Sequence, residues 1–255
     1  MRTKIAAFLA AVTIYFGLYP SIASATAIEL FSTSLFTDGN LQNYYRMEGN
    51  SNDSKGSANG TDTSVSYSST GGQFGQYASF NGTSSKIEST IASNLSGSFT
   101  INLWVYRTGS FFTGLIESHV ASYNNYWIYI TDTGGNKIRA SLYDGSQNPF
   151  IDSTNTVSQN AWHMITFVRN TGTGKLQLYV DGSSAATDVS DPTTAPTYSA
   201  FDIGSRTNGE ELFTGRIDDV DIFNRVLTST EVSQLYNGTL PSGSTATPPP
   251  LFIFD

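Results

Sequence analysis

The 255-residue chain contains no cysteine. Disulfides, thiolate metal centres, thiol nucleophiles and lipid attachment through a cysteine are therefore excluded together. Histidine is nearly missing as well: there are two, His119 and His163. Any Ser/His/Asp catalysis would have to run through one of them, and a histidine-rich zinc site has no material. His163 follows Trp162 inside an apolar strand pattern, and His119 stands in a loop-like stretch without a nucleophile signature. Both read as structural or surface residues. Basic residues are scarce, 13 Lys and Arg against 21 Asp and Glu, for a net charge of −8. Such a surface suits neither nucleic acid nor anionic membrane. There is no phosphate-cradling Gly-Lys-Ser/Thr motif, and no internal repeat of the length that builds solenoids.

Long apolar runs are confined to the start. Arg2 and Lys4 precede an apolar stretch from Ile5 to Tyr19, followed by Pro20 and small residues with cleavage-like steps at Ala23-Ser24-Ala25 and Ala25-Thr26-Ala27. The stretch is short of the ~20 residues a bilayer span needs, so it reads as a cleaved secretory signal over residues 1–27. Its removal takes two basic residues and leaves the exported chain more acidic still. The expected location is outside the cytoplasm, secreted or at the cell surface, with no membrane span in the mature chain.

Runs of strong helix formers are also nearly absent, whereas Gly, Ser, Thr, Asn, Tyr and Phe are frequent, which favours strands joined by polar turns. In Phe99-Thr100-Ile101-Asn102-Leu103-Trp104-Val105 every odd position is apolar, the two-residue period of a half-buried strand. Strands are expected at Leu41–Met47, Tyr77–Phe80, Lys86–Ser89, Phe99–Tyr106, Gly114–Glu117, Tyr126–Thr131, Lys137–Tyr143, Trp162–Arg169, Lys175–Val180, Phe201–Ile203 and Gly215–Phe223. Asn81-Gly82, Gly134-Gly135, Asp144-Gly145 and Asp181-Gly182 supply hairpin-type turns. Thr228-Ser229-Thr230-Glu231 fits a capping box for one short helix presenting Val232, Leu235 and Tyr236 on one face. The expected architecture is an all-β sandwich of two antiparallel sheets over residues 28–238, with a Pro/Ser/Thr-rich tail over 239–255.

Four ordered segments resemble the laminin G-like jelly-roll family of the concanavalin A-like superfamily. They are Tyr44-Tyr45-Arg46-Met47-Glu48-Gly49 with the Asp/Asn/Gly-rich loop to Thr61; Ala78-Ser79-Phe80-Asn81-Gly82; Phe99–Val105 with Ala161–Arg169 and Leu178-Tyr179-Val180-Asp181-Gly182; and Phe213–Leu227. The resemblance implies two curved sheets packed face to face with the first and last segments adjacent. It also implies a calcium ion held by Asp53 and Asp218 through carboxylates and Gly56 through its carbonyl, with Glu48 or Asn59 as further ligands. A hard cation wants several oxygens at once, which such a loop can supply. The same residues could equally cap turns and pair with arginine.

The superfamily includes glucanases whose catalytic strand carries three acids at alternate positions. Here the matching stretch is Asp219-Val220-Asp221-Ile222-Phe223, where the last acid is replaced by Phe223. Retaining hydrolysis needs two carboxyls about 5–5.5 Å apart, so a non-enzymatic role is expected. For ligand contact, Tyr123, Asn124 and Asn125 combine an aromatic face with planar amides, as sugar sites do. Asp144, Gln147 and Asn148 form a weaker group of the same kind, and Trp104 and Trp162 are assigned to the core. The expected function is carbohydrate or glycoconjugate binding with a structural calcium. A surface protein that adheres to other proteins is the second reading, and a glucan hydrolase the third.

Overall fold

The alternation in Phe99–Val105 acts as its pattern requires. Phe99, Ile101, Leu103 and Val105 enter the core between two sheets, while Trp104 turns to a second apolar cluster on the opposite face. The computed structural model describes residues 27–91, 95–109, 113–119, 127–133, 135–193, 200–206 and 211–240. In chain order the strands are β1 (Leu41–Tyr45), β2 (Thr61–Thr63), β3 (Ser66–Ser68), β4 (Tyr77–Asn81), β5 (Lys86–Thr90), β6 (Phe99–Arg107), β7 (Thr113–His119) and β8 (Trp127–Thr133). They continue as β9 (Lys137–Tyr143), β10 (Phe150–Asp152), β11 (Trp162–Asn170), β12 (Lys175–Val180), β13 (Ser183–Ser184), β14 (Val189–Ser190), β15 (Ala200–Ile203) and β16 (Thr214–Phe223).

The first sheet runs β13-β12-β11-β6-β16-β4-β3, with β1 also paired to β16 and β14 to β12; the second runs β10-β9-β8-β7-β15-β5-β2. All pairings are antiparallel, as in a jelly-roll sandwich. Ile87, Leu115, Ile138, Leu142, Phe201 and Ile203 of the second sheet meet Ile101, Leu103, Phe167 and Ile217 of the first. Edge-on rings lock the layers and strands: Tyr45 against Phe201 joins the two sheets, and Phe99 against Phe167 joins neighbouring strands, each at 5.7 Å between centroids. The expected adjacency of the first and last segments is present as the β1–β16 ladder, with Tyr45 opposite Val220.

The outer face of the first sheet carries the second core. Two 3-10 turns, Leu30–Ser32 and Ser34–Thr37, and helix α1 (Ser229–Asn237) lie across it, burying Leu30, Leu35, Val232 and Leu235 against Tyr44, Trp104, Met164 and Phe223. The capping box forms as its residues predict, Thr228 and Glu231 each accepting the other's backbone N–H, and Gly238 at φ 67° closes the helix. Arg225 clips the two coverings together through Asp38 and Glu231, both at 2.7 Å. Leu240 also packs in this cluster.

Asp181 and Gly182, at φ 52° and 73°, make the two-residue turn between β12 and β13. Asn81-Gly82 corrects the hairpin expectation: β4 and β5 belong to different sheets, so this turn is a crossover. Gly134 lies outside the described residues. The 3-10 turns and the short strands β2, β3, β10, β13 and β14 have no counterpart in the sequence pattern, because two to four residues carry no readable period. Phe167 is fully buried at the centre of β11. Phe167→Ala is expected to cost about 3–5 kcal/mol, read as a lower urea midpoint at unchanged m-value.

Candidate functional site

Three acids of β16 set the chemistry of its outer face. The register with β6 slips between Asp218 and Asp221, and Asp219 takes φ 43°, so one extra residue bulges from the strand. Asp218, Asp219 and Asp221 are only 0%, 2% and 0% exposed. Asp221 accepts the Asn102 amide at 2.9 Å, and Asn102 in turn accepts the Thr166 hydroxyl at 2.7 Å. Its second carboxylate oxygen meets no donor, and burial pushes Asp221 up to about 8. Asp219 accepts the Tyr44 hydroxyl at 2.7 Å; burial, then Asp218 beside it, hold its pKa well above the usual carboxylate range. Asp218 is pushed up to about 8, by burial first and by the charge of Glu48 as well.

Loop 69–76 closes over Asp218 and Glu48. Asp218 accepts the Phe74 N–H at 3.0 Å, and Glu48 accepts the Gln76 N–H at 2.9 Å. The loop must be glycine-rich for this approach. A Cβ on Gly75 would sit 2.4 Å from Glu48 Oε1, and one on Gly72 would sit 1.9 Å from the Gln76 carbonyl oxygen and 2.8 Å from Asp218 Oδ2. Each glycine thus lets the loop backbone lie directly against an acid, Gly75 against Glu48 and Gly72 against Asp218. Hard cations accept mixtures of carboxylate and carbonyl oxygens, and these donors suit one. Among the described residues no three His, Asp or Glu side chains gather around a common metal position, so backbone oxygen would complete the set.

The structure divides the calcium ligands suggested by resemblance. Asp53 and Gly56 come together, a Cβ on Gly56 lying 2.9 Å from Asp53 Oδ2, but they share no partner with Asp218. The Asp53 carboxylate accepts four N–H groups, from Tyr44 and Lys55 at 3.0 Å, the Asn43 amide at 3.2 Å and Ala58 at 3.3 Å. Its own N–H donates to Asn59. That engagement makes Asp53 the hub of the loop after β1, the turn-capping alternative, whereas Asp218 and Glu48 share a cradle. Tyr123, Asn124 and Asn125 lie outside the described residues. Asp144 accepts the N–H groups of Ser146 and Gln147 and so caps its own turn.

Beside the cradle the outer face of the first sheet is aromatic and open. Trp162 pairs with Tyr106 across β11 and β6, and Tyr106 with Arg216 across β6 and β16. Trp162 meets Tyr106 at 5.6 Å and Tyr77 at 6.2 Å, edge to face. An open cleft of about 120 Å³ is lined by Ala27, Gln73, Trp104, Trp162 and Tyr236. Trp104 stacks on Tyr236 at 5.8 Å and meets Phe74 edge-on. The loop that binds Asp218 through its backbone therefore also walls the cleft. Trp104 belongs to the second core, as assigned from sequence; Trp162, assigned to the core as well, packs against the same cluster but is only half-buried and also lines the cleft.

His163 has one ring nitrogen 2.7 Å from Ser158 Oγ and the other 2.7 Å from Asp181 Oδ2. The order resembles a catalytic relay, but the neighbouring cavity of about 270 Å³ is lined by Asp181 and not by Ser158 or His163. Asp181 also accepts the Met164 N–H at 3.0 Å, so the relay braces the β12–β13 turn against β11. Asp219 and Asp221, the acids of the glucanase-like stretch, are buried beneath the second core at 2% and 0% exposure.

A family profile described as the concanavalin A-like lectin/glucanases superfamily, of laminin G type, matches residues 80–233. No curated protein sequence matches the chain. Among solved structures, domain 4 of AbnA, a GH43 extracellular arabinanase from Geobacillus stearothermophilus in complex with arabinotriose, is similar. It has a TM-score of 0.63 at 20% identity, covering 77% of this chain and 98% of that domain. A structure of botulinum neurotoxin type C, whose cell entry is dependent upon interaction with two ganglioside molecules, gives 0.61 at 17% identity, covering 78% and 51%. The binding domain of Paraclostridial Mosquitocidal Protein 1 gives 0.60 at 20%, covering 78% and 52%. The chain spans about half of each toxin structure, and at these identities the likeness is one of fold.

The buried carboxyls predict a pH dependence. With a folded pKa of about 8 for Asp221 against about 3.9 unfolded, the folded state holds the proton more tightly. The associated stability is complete below about pH 4 and is lost as pH rises towards 8. Asp221→Asn, a neutral isostere, should narrow the stability gap between pH 5 and pH 8.5 by up to a few kcal/mol. An unchanged gap in denaturant titrations at the two pH values would show that Asp221 is ionised in the fold.

Proposed function

This chain belongs to the concanavalin A-like lectin/glucanase superfamily, and from that premise we propose that it is an exported, non-catalytic module that binds carbohydrate or glycoconjugate and carries a structural calcium ion. The observation that carries the binding role is the open cleft at Trp104, Trp162 and Tyr236, walled by Gln73. Sugar rings present apolar C–H faces and hydroxyl edges, and such ligands are held by aromatic side chains with a few placed polar groups. The complex of the arabinanase domain with arabinotriose and the ganglioside dependence of the toxin support the same reading. Export is supported by the basic start, the apolar run Ile5–Tyr19 and the small residues before Ile28.

Glu48, Asp218 and the Gln76 carbonyl are the residues that would hold calcium, because loop 69–76 lies against both acids, at Gly75 and at Gly72, and can turn a carbonyl oxygen towards them. Bound there, the ion would supply positive charge to carboxylates that burial leaves without a cation. It would also tie the end of β1, loop 69–76 and β16 together. Asp53 accepts four N–H groups and Asp218 two, from Phe74 and Asp219, so Asp218 has more capacity left for an ion.

Thermal melts with calcium and with chelator test the metal. Calcium at 100 times its dissociation constant should stabilise the protein by about 2.7 kcal/mol. The Glu48→Gln, Asp218→Asn double variant should lose the response, while Asp53→Asn should weaken the fold yet keep it. A response that follows Asp53 would move the ion to the loop after β1. A glycan array probed with the calcium-loaded chain tests the binding role, and silence across neutral and acidic glycans would remove it.

A further inference from the structure

Arg216 is treated differently from the other arginines of the described residues. Arg46, Arg139, Arg169, Arg206 and Arg225 each pair with a carboxylate, and Arg107 donates to the Val157 carbonyl and the Asn136 side chain. Arg216 stands on the outer face of β16 with its guanidinium carbon 4.6 Å from the Tyr77 ring centre and 4.4 Å from that of Tyr106. Among the described residues no carboxylate lies within ion-pair reach of it and no acceptor receives its side-chain N–H groups. In a chain with eight more acids than bases, an arginine left without an acid is a feature to explain.

The two rings hold the guanidinium plane but leave its donors unsatisfied, since a cation–π contact uses the charge and not the N–H groups. A planar fork fixed in this way matches a carboxylate in bidentate geometry. Trp162 stands edge-on to both tyrosines, completing a strip of aromatic and cationic groups across four strands. Ser79, opposite Arg216 in register and half-buried, offers a hydroxyl on one side, and the cleft with Gln73 lies on the other. The nearest acid along β16 on this face, Asp218, is shut beneath loop 69–76 by the Phe74 N–H. The net negative charge of the whole chain acts weakly here, because exposed charges beyond about 8–10 Å are screened at physiological salt.

Building on the carbohydrate reading above, we infer that the strip is a subsite for an acidic sugar: the carboxylate of a uronic or sialic residue binds Arg216, its ring stacks on Trp162, and the glycan continues into the cleft at Gln73. Calorimetry on the calcium-loaded chain tests this with oligogalacturonate, its methyl ester, sialyllactose, a sulfated oligosaccharide and arabinotriose. The free acid should bind about 10-fold or more tighter than its methyl ester, with affinity falling as salt is added. Arg216→Gln should erase that preference. Arg216→Lys should retain part of it, and Trp162→Ala should weaken acid and ester alike. The comparison of acid with ester needs only the unaltered chain, so it decides the matter even where a variant fails to fold. Equal binding of acid, ester and arabinotriose would overturn the acidic-sugar subsite while leaving carbohydrate binding in place. Preference for the sulfated ligand over both carboxylates would overturn the carboxylate assignment, and binding of none would remove both readings.

Discussion

Burying carboxyl groups on a strand covered on both faces is costly, because each must either leave water as a charge or take up a proton at a pH where it would otherwise be ionised. β16 nevertheless carries Asp218, Asp219 and Asp221 in that position, paired with β6, β4 and β1 at once. The bulge at Asp219 makes this possible. It places the extra acid against the Tyr44 hydroxyl, returns Val220 and Ile222 to the inner core, and leaves Asp218 to the Gly-rich loop. Remove the bulge, and every residue after it would exchange faces, placing Ile222 outward and Asp221 among the inner apolar side chains. The arrangement of the outer face therefore depends on this local break in the ladder.

The outer face divides into two parts with different physical characters. Under the 3-10 turns and α1 it is a second core, crossed by the buried polar row Asp221, Asn102 and Thr166. Past the edge of that covering it is a bare strip of Trp162, Tyr106, Arg216 and Tyr77. Loop 69–76 stands at the border and serves both: its backbone satisfies Asp218 and Glu48, while Phe74 packs on Trp104. The loop that lies against the two acids is the loop that walls the cleft, so an ion bound as proposed would also shape the wall against which a ligand would rest.

Much of the fold was legible because alternation is local. Phe99–Val105, Lys175–Val180 and Trp162–Arg169 each carry their own period, and each expected strand is present. The capping box and the Asp181-Gly182 turn were legible for the same reason: their partners lie within a few residues. The site was legible only in part. The type of an acid does not reveal its partners: Asp53, in a Gly/Asn-rich loop, gathers N–H groups from its own neighbourhood, while Asp218, on β16, meets a loop from a distant part of the chain. Glu48 meets Gln76 across 28 positions and Asp218 meets Phe74 across 144, distances over which a sequence pattern carries no contact information. Trp162 shares its apolar surroundings with core residues and differs from them in being only half-buried at the cleft.

The amino-acid order by itself determined the all-β class, the strands and their inward faces, the capped helix and the acidic, cysteine-free character of the chain. These follow from periodicity, turn chemistry and composition, which act over a few residues. Tertiary structure alone decided that Asn81-Gly82 crosses between sheets, that Asp218 and Glu48 meet the same loop while Asp53 anchors another, and that Arg216 stands between two tyrosines with no acid beside it among the described residues. Those outcomes arise from which strands become neighbours, and the free energy that selects neighbours belongs to the packed core as a whole.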